Sequence, residues 1–453
     1  MDVILEIRKA YDLVRCGDNE GAKAIYLQIL EQNPGHFATL IELGRLAWET
    51  GDRITSLVAF SLTVQHHPEN KIAHVQIANF LTDDGSWIVD DSALAVARHH
   101  YAAALSLDPE FVDAHQGMAW VMMQLGHPNT DHWIKGFVGH ATKKRRYLGI
   151  GAGIPLILLV SARGGNVPVR HWRDERIFEV TVVYADFFDP AEPLPPHRLV
   201  VNAIGDSDFA YEALVCAEKI VQTTTSPVIN EPSLVRLTGR EENATRIGRL
   251  DGVVTPRIIR KKSLSDFEAD PTLTFPLLLR SPGFHGGKKF VRLEKRSQLN
   301  AFTSELIDGD LFVIEYLDAR GPDGFWRKYR VMAIDGNLYP LHLAISADWK
   351  VHYFSSPMAE NPEHRAEEQK FLQDMTGVLG PIAMAALADI AATIALDFCG
   401  IDFALAQDGR VLLFEANATM VIVPADPDPI WDYRRPKLDQ ALSAARAMVL
   451  QRL

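Results

Sequence analysis

The sequence predicts a multidomain chain in which an all-α repeat array is followed by a small α/β unit and then by a larger α+β unit. Three observations carry this reading. A 34-residue period occupies the first 145 residues, apolar runs of strand length fall between 154 and 202, and strand-like runs joined by tight-turn dipeptides follow 230. At 453 residues, 47% hydrophobic and 23% charged, the chain is globular and too long for a single core.

In the first segment Gly17, Gly51, Gly85 and Gly126 are spaced 34, 34 and 41 residues apart, and Pro34, Pro68 and Pro109 are spaced 34 and 41. Between each glycine and its proline lie a small residue and an aromatic: Ala22 with Tyr26, Ser56 with Phe60, Ala97 with Tyr101. The longer spacing places a seven-residue insertion between Gly85 and Ala97, around Asp90 and Asp91. The glycine permits a turn between two helices, the small residue lets them approach, and the aromatic fills the seam. With Leu43-Gly44 in the first helix, the pattern resembles the tetratricopeptide repeat; the first repeat carries Lys9-Ala10 instead, and the fourth decays after Gly126. The resemblance implies stacked helix pairs over residues 1–145, with a concave groove for a peptide or protein, or else a docking or dimerisation scaffold.

A net charge of −12 argues against nucleic acid as the main partner. Cys16, Cys216 and Cys399 have no paired spacing, which fits a reducing cytoplasm rather than a disulfide framework or zinc site. The first residues lack a signal-peptide pattern, and apolar runs such as Ile154 to Val160 are far shorter than a membrane span. The expectation is a cytoplasmic protein without a membrane partner.

Residues 146–229 read as the α/β unit. Ile154 to Val160, Phe178 to Tyr184 and Arg198 to Asn202 have strand character, and Phe209 to Val221 reads as a helix. Gly149, Gly151 and Gly153 precede a strand rather than follow one, so they are read as a linker and not as a dinucleotide fingerprint.

Three segments of residues 230–453 carry chemistry. In the first, Phe275 to Arg280 ends a strand on a cation, and a glycine-rich loop with Gly286, Gly287 and Lys288 precedes Phe290-Val-Arg292. This is either a phosphate cradle with a basic lining or a plain hairpin turn; it is not a Walker A loop. In the second, Leu311 to Leu317 is an apolar strand interrupted by Glu315, an edge charge or a ligand for a ribose hydroxyl. Lys328 to Tyr339 then forms a hairpin about Asp335-Gly336, with Arg330 near its start.

The third segment runs from Ile401 to Asn417. A two-residue turn at Asp408-Gly409 makes paired positions sum to 817, setting Asp402 opposite Glu415 with Asn417 on the same face. Two carboxylates so close need something positive between them: a magnesium ion, a nearby arginine, or a raised carboxylate pKa.

On these residues the sequence resembles the ATP-grasp superfamily of carboxylate–amine and carboxylate–thiol ligases, the group of glutathione synthetase and ribosomal-protein glutamate ligase. The resemblance covers about 230 to 440, extends back toward 154 as the small preceding domain, and includes Asn230-Glu-Pro232 and Thr238 to Glu241 as the lead-in. It implies ATP and Mg2+ as cofactors. By the same resemblance Glu315 and Leu317 meet the nucleoside, while Arg280, Gly286, Gly287 and Lys288 meet the phosphates. Arg330 and Arg280 face the reacting groups, and Asp402, Glu415 and Asn417 hold the metal. Arg280 stands where lysine is usual, exchanging a point charge for a planar fork. The implied reaction is ADP-forming ligation of a carboxylate, with a peptide or protein held by the repeats as the expected substrate. A non-catalytic nucleotide-binding scaffold and a phosphotransferase are the alternatives. His342, Ser346, Lys350 and His352 are either acceptor-binding groups or ordinary strand and turn polar residues.

Overall fold

The repeat is punctuated by ordinary helix caps. Asp2, Asp18 and Asp52 each accept backbone N–H groups at a helix start, while Gly17 and Gly51 end helices at φ +85° and +84°, a region that disfavours side chains. These features belong to a computed structural model that describes every residue except Met1, 83–90, Pro128, 170–173, 283–288, 303–308 and Phe354. The chain divides into two compact units: Met1–Ile154 with Glu175–Val180, and Pro155–Asp174 with Thr181–Leu453.

In the first unit, helices α1 (Val3–Cys16), α2 (Asn19–Gln32), α3 (Phe37–Thr50), α4 (Arg53–His66), α5 (Lys71–Thr82), α6 (Asp91–Leu107), α7 (Val112–Gln124) and α8 (Thr130–Phe137) pack as successive pairs. Ala22, Ser56 and Ala97 are fully buried, and Tyr26, Phe60 and Tyr101 are each 1% exposed. A Cβ on Gly44 would stand 2.6 Å from the Phe60 ring, and one on Gly117 would stand 2.1 Å from the Tyr101 ring. The aromatic therefore needs a small residue across from it: Ala10 for Tyr26, Gly44 for Phe60, and for Tyr101 Ala78 of its own pair with Gly117 of the next. The fading fourth repeat is a real pair whose second helix, α8, has 8 residues. Gly85 and Asp90 lie outside the described residues; beyond them α6 has 17 residues against 14 in α2 and α4, so part of the insertion lengthens a helix.

After α8 comes β1 (Thr142–Lys144), and residues 145–154 pair with the returning segment Glu175–Val180 through Arg145 N–H to Val180 O (2.9 Å) and Leu148 N–H to Glu175 O (3.0 Å). Gly149 and Gly153 make room there for the Tyr147 ring, which a Cβ at either position would overlap.

The second unit opens on a sheet with the order β3 (Phe178–Tyr184), β2 (Ile154–Val160), β4 (Leu199–Asn202), β5 (Val228–Ile229). Strands β2, β4 and β5 are parallel, and α9 (Tyr211–Val221) returns the chain between β4 and β5. Next come α10 (Pro232–Arg236), α11 (Arg240–Ile247), β6 (Val253–Val254), β7 (Ile258–Lys261) and α12 (Leu264–Glu268). Strands β8 (Leu277–Arg280), β9 (Phe290–Leu293) and, past α13 (Leu299–Phe302), β10 (Leu311–Glu315) complete a four-stranded antiparallel sheet ordered β7-β10-β8-β9. Alternate residues of these strands bury one core with Phe267.

The third sheet, ordered β12-β11-β13-β14-β6, is built from β11 (Trp326–Ile334), β12 (Asn337–Ser346), β13 (Phe398–Leu405) and β14 (Val411–Asn417). Helices α14 (Pro362–Gln373), α15 (Met375–Ile394) and α16 (Arg435–Gln451) pack on it. By length and composition α15 is the one candidate membrane span among the described residues; here it breaks at Gly380-Pro381 and buries Leu387, Ile390 and Ile394. Asn230, at φ 56°, joins two sheets: its amide brackets the backbone N–H (2.9 Å) and carbonyl (2.8 Å) of Phe398, as a strand neighbour would.

The Asp335-Gly336 turn is the expected two-residue hairpin, with φ 49° and 73°. The Asp408-Gly409 turn is not. Only Gly409 has a positive φ (83°), and Ala406 N–H reaches Arg410 O (2.9 Å) while Gly409 N–H reaches Ala406 O (3.0 Å), giving a three-residue loop. The strands leave it one residue out of the expected step, with Leu405 opposite Val411, and a bulge between Asp402 and Phe403 restores the step. Asp402 thus faces Glu415 as expected, by a different route.

Gly44→Val should overpack the Phe60 seam and destabilise the first unit by about 1–3 kcal/mol. Chemical unfolding followed by circular dichroism checks this, with Gly51→Ala as the comparison: nothing lies within 4 Å of a Cβ there, and only its φ of +84° is strained.

Candidate active site

Four strands place one row of side chains across the third sheet. His342 on β12 is paired with Arg330 on β11, Arg330 with Asp402 on β13, and Asp402 with Glu415 on β14, so all four share a face. Bulges lie beside the row, between Arg330 and Val331 and between Asp402 and Phe403. The opposite face is apolar: Tyr329 stacks on Phe403 and meets Phe371 of α14 edge-on.

Asp402 is 3% exposed and accepts a bidentate pair from Arg330, Nε at 2.6 Å and Nη2 at 2.8 Å, with Lys328 Nζ at 3.1 Å. Burial raises its carboxyl, but Arg330 and Lys328 outweigh that and hold it well below the usual carboxylate range. Glu415 Oε1 accepts Arg240 Nη2 at 2.5 Å and Asn417 Nδ2 at 2.7 Å. Arg240 also lies 3.6 Å from Asp208, whose carboxyl burial pushes up to about 6 despite that neighbour. Asp206 and Asp208 stand in the loop after the carboxyl end of β4, the edge of a parallel sheet where ligand crevices form. This loop lines a narrow cleft with Arg240 and Glu415, and the same pair lines an adjoining cleft reaching Asn243. The buried Oδ1 of Asn243 has no hydrogen-bond partner among the described residues.

Arg280 ends β8 with its guanidinium over the Phe290 ring at 5.5 Å. Burial and then the neighbouring Arg240 push it down to about 10, against the pull of Glu415, Asp206 and Asp208. His342 is 6% exposed, lies against Tyr353 with ring centroids 4.6 Å apart, and has no partner for Nδ1 among the described residues. Burial first and Arg330 second keep it neutral; burial and then Lys328 push His352 down to about 4.

Arg280, Arg330, Asp402, Glu415 and Asn417 therefore all border one charged cluster. Asn417, however, turns its amide oxygen to Thr419 (backbone N–H 3.0 Å, Oγ1 2.7 Å). Glu315 stands exposed at the end of β10, and its Oε2 accepts the N–H of Arg257 at 2.9 Å. Leu317 packs in a small apolar cluster with Ala319, Ala404 and Leu412. Gly286, Gly287 and Lys288 lie outside the described residues. Sequence reasoning missed the roles of Arg240, Lys328 and Asp208. Lys328 was within reach, two residues before Arg330 on the same strand face. Arg240 meets Glu415 from 175 residues away, and Asp208 meets Arg240 from 32, and no local pattern shows either.

The chain is similar to several solved structures. The RimK domain protein ATP-grasp from Sphaerobacter thermophilus is 15% identical over 65% of this chain and 99% of that one, with a TM-score of 0.40. The D-alanine–D-alanine ligase from Bacillus anthracis complexed with ATP is 14% identical over 66% of this chain and 97% of that one, TM-score 0.41. MamA of RS-1 is 20% identical over 30% of this chain and 73% of that one, TM-score 0.26. No protein-family model matches the sequence, and no curated protein matches it.

Asp402→Ala should cost about 3–5 kcal/mol of stability, because it leaves the half-buried Arg330 and Lys328 without their shared carboxylate. Asp402→Asn should cost less, and denaturant midpoints separate the two. The Asp208 carboxyl is raised in the fold, so its contribution to stability is complete below the unfolded value of about 4 and is lost as pH rises through about 6. Melting temperatures between pH 4.5 and 7.5 should thus show a decline that Asp208→Asn removes.

Proposed function

We propose that the second unit is an ATP-dependent ligase that activates a carboxylate as an acyl phosphate for attack by an amine or another nucleophile. The observation that carries this reading is the meeting of two strand-borne carboxylates, Asp402 and Glu415, with the guanidinium groups of Arg240, Arg280 and Arg330. Arg280, pushed down by burial and then by the neighbouring Arg240, gains from an anion beside it, and a triphosphate is such an anion.

Asp402 and Glu415 supply the hard oxygen donors that magnesium takes, and both are now engaged by guanidinium groups. Phosphate oxygens that claim Arg240 and Arg330 release those carboxylates, so the same residues fit the nucleotide and the metal together. Asn417 fits less directly, since its oxygen is held by Thr419. When bound, the ion supplies charge neutralisation on the triphosphate. Arg280 and Arg240 bind the phosphate chain, Arg330 faces the transferred phosphoryl group, and Glu315 and Leu317 meet the nucleoside. Gly286, Gly287 and Lys288, which lie outside the described residues, complete the proposed phosphate-binding set. Catalysis of this kind is positioning plus preorganised charge. The repeat array brings a peptide or protein partner.

Calorimetric titration with ATP should show binding that requires magnesium, and Glu415→Ala should weaken it by at least about tenfold, the loss of roughly 1.4 kcal/mol. A well-folded native chain that binds no ATP with magnesium would sink the ligase reading.

A further inference from the structure

Within the first unit the chain lays its own basic segment, Lys143-Lys-Arg-Arg146, along the first helices of the repeat pairs. Arg146 Nη1 lies 2.6 Å from Glu42 of α3, and its guanidinium sits over the Tyr11 ring of α1 at 4.8 Å. Lys143 Nζ lies 2.6 Å from Asp113 of α7. Arg145 turns the other way, toward Glu175 of the returning segment at 3.6 Å. Glu42, 13% exposed, also faces Arg45 at 3.5 Å, so the pocket is an acid between two arginines with an aromatic wall.

Tyr11, Glu42 and Asp113 come from three different helix pairs, and in each case from the first helix, which in a stacked array lines the concave side. A single exposed ion pair contributes little. Here a cation–π contact and a shielded ion pair converge on one guanidinium, with a second ion pair at the spacing of an extended peptide.

We propose that the repeat groove is a recognition site for an arginine-bearing basic peptide, and that the segment Lys143 to Arg146 is its resident intramolecular ligand. The partner of the groove is then a short basic peptide with an arginine two to three residues from a lysine, and it competes with the chain's own segment. Nothing in this depends on the ATP-dependent reading of the second unit.

The test uses the full-length chain and a fluorescently labelled synthetic peptide of residues 143–148, Lys-Lys-Arg-Arg-Tyr-Leu. Wild type should bind it weakly, Arg146→Ala at least about tenfold more tightly because the pocket is vacated, and the Arg146→Ala, Glu42→Ala double variant should lose that gain. Equal binding by wild type and Arg146→Ala, or an undiminished gain in the double variant, overturns the proposal. Limited trypsin digestion supplies a measurement that does not require Arg146→Ala to fold. Glu42→Ala should raise the cleavage rate at residues 143–146 by about tenfold, since proteolysis follows the population of the released segment. An unchanged rate overturns the proposal as well.

Discussion

The charge of Asp402 is the constraint around which the second unit is arranged. A carboxylate 3% exposed in the middle of a sheet is tolerable only if cations meet it, and Arg330 and Lys328 do so from one neighbouring strand. That requirement sets the register of β11 against β13. Glu415 follows from the register of β14, and it in turn needs Arg240. Buried ionic groups of this sort are weak contributors to stability, since well-packed apolar residues would do as well or better. Their presence on one face, while Tyr329, Phe371 and Phe403 pack the other, separates the side of the sheet that holds the fold from the side that carries the charged row.

Two structural irregularities serve this arrangement. The bulge after Arg330 and the bulge after Asp402 flank the same row, on adjacent strands. A bulge re-aims the side chains beside it and increases the local twist, so both act where the charged groups converge. The edge of the sheet is held with similar care. On β12, Leu343 N–H is bound by the buried Glu368 at 3.3 Å, and Arg434 lies 3.3 Å from that carboxylate while its guanidinium covers Tyr353 at 4.3 Å. Tyr353 in turn backs His342. The imidazole at the end of the row is thereby supported by backbone, ion pair and ring at once.

What was legible in the sequence follows the range of the interactions. The 34-residue period is a local signal, and Ala22, Tyr26, Ser56, Phe60, Ala97 and Tyr101 occupy the buried seam it implies. Strands at 154–160 and 178–184 could be read from apolar runs because both faces are covered. Asp335-Gly336 showed its turn because both residues adopt positive φ. Asp408-Gly409 carries the same dipeptide, yet the loop takes one more residue. The opposition of Asp402 and Glu415 survived only because a bulge, invisible to pattern reading, compensated for that residue. The two acids were expected to need a metal, an arginine or a raised carboxylate pKa, and here each has its own arginine, Arg330 on Asp402 and Arg240 on Glu415. That one of them would be Arg240, starting a helix more than 150 residues earlier, could not be read from spacing.

The basic run at 143–146 shows the same limit in another form. In an acidic chain it reads as an isolated patch, because the acids that meet it are 30 and 104 residues away on α7 and α3. Once they are known, the patch and the groove explain each other. A surface carrying Glu42, Asp113 and Tyr11 is unfavourable to leave without a cation, and the segment that leaves α8 supplies one. Because the ligand is part of the chain, its effective concentration is set by a short connection rather than by supply, so weak contacts suffice to keep it in place. A free peptide with the same chemistry must therefore outcompete a tethered one, which makes the groove selective for partners that are abundant, multivalent or delivered close by.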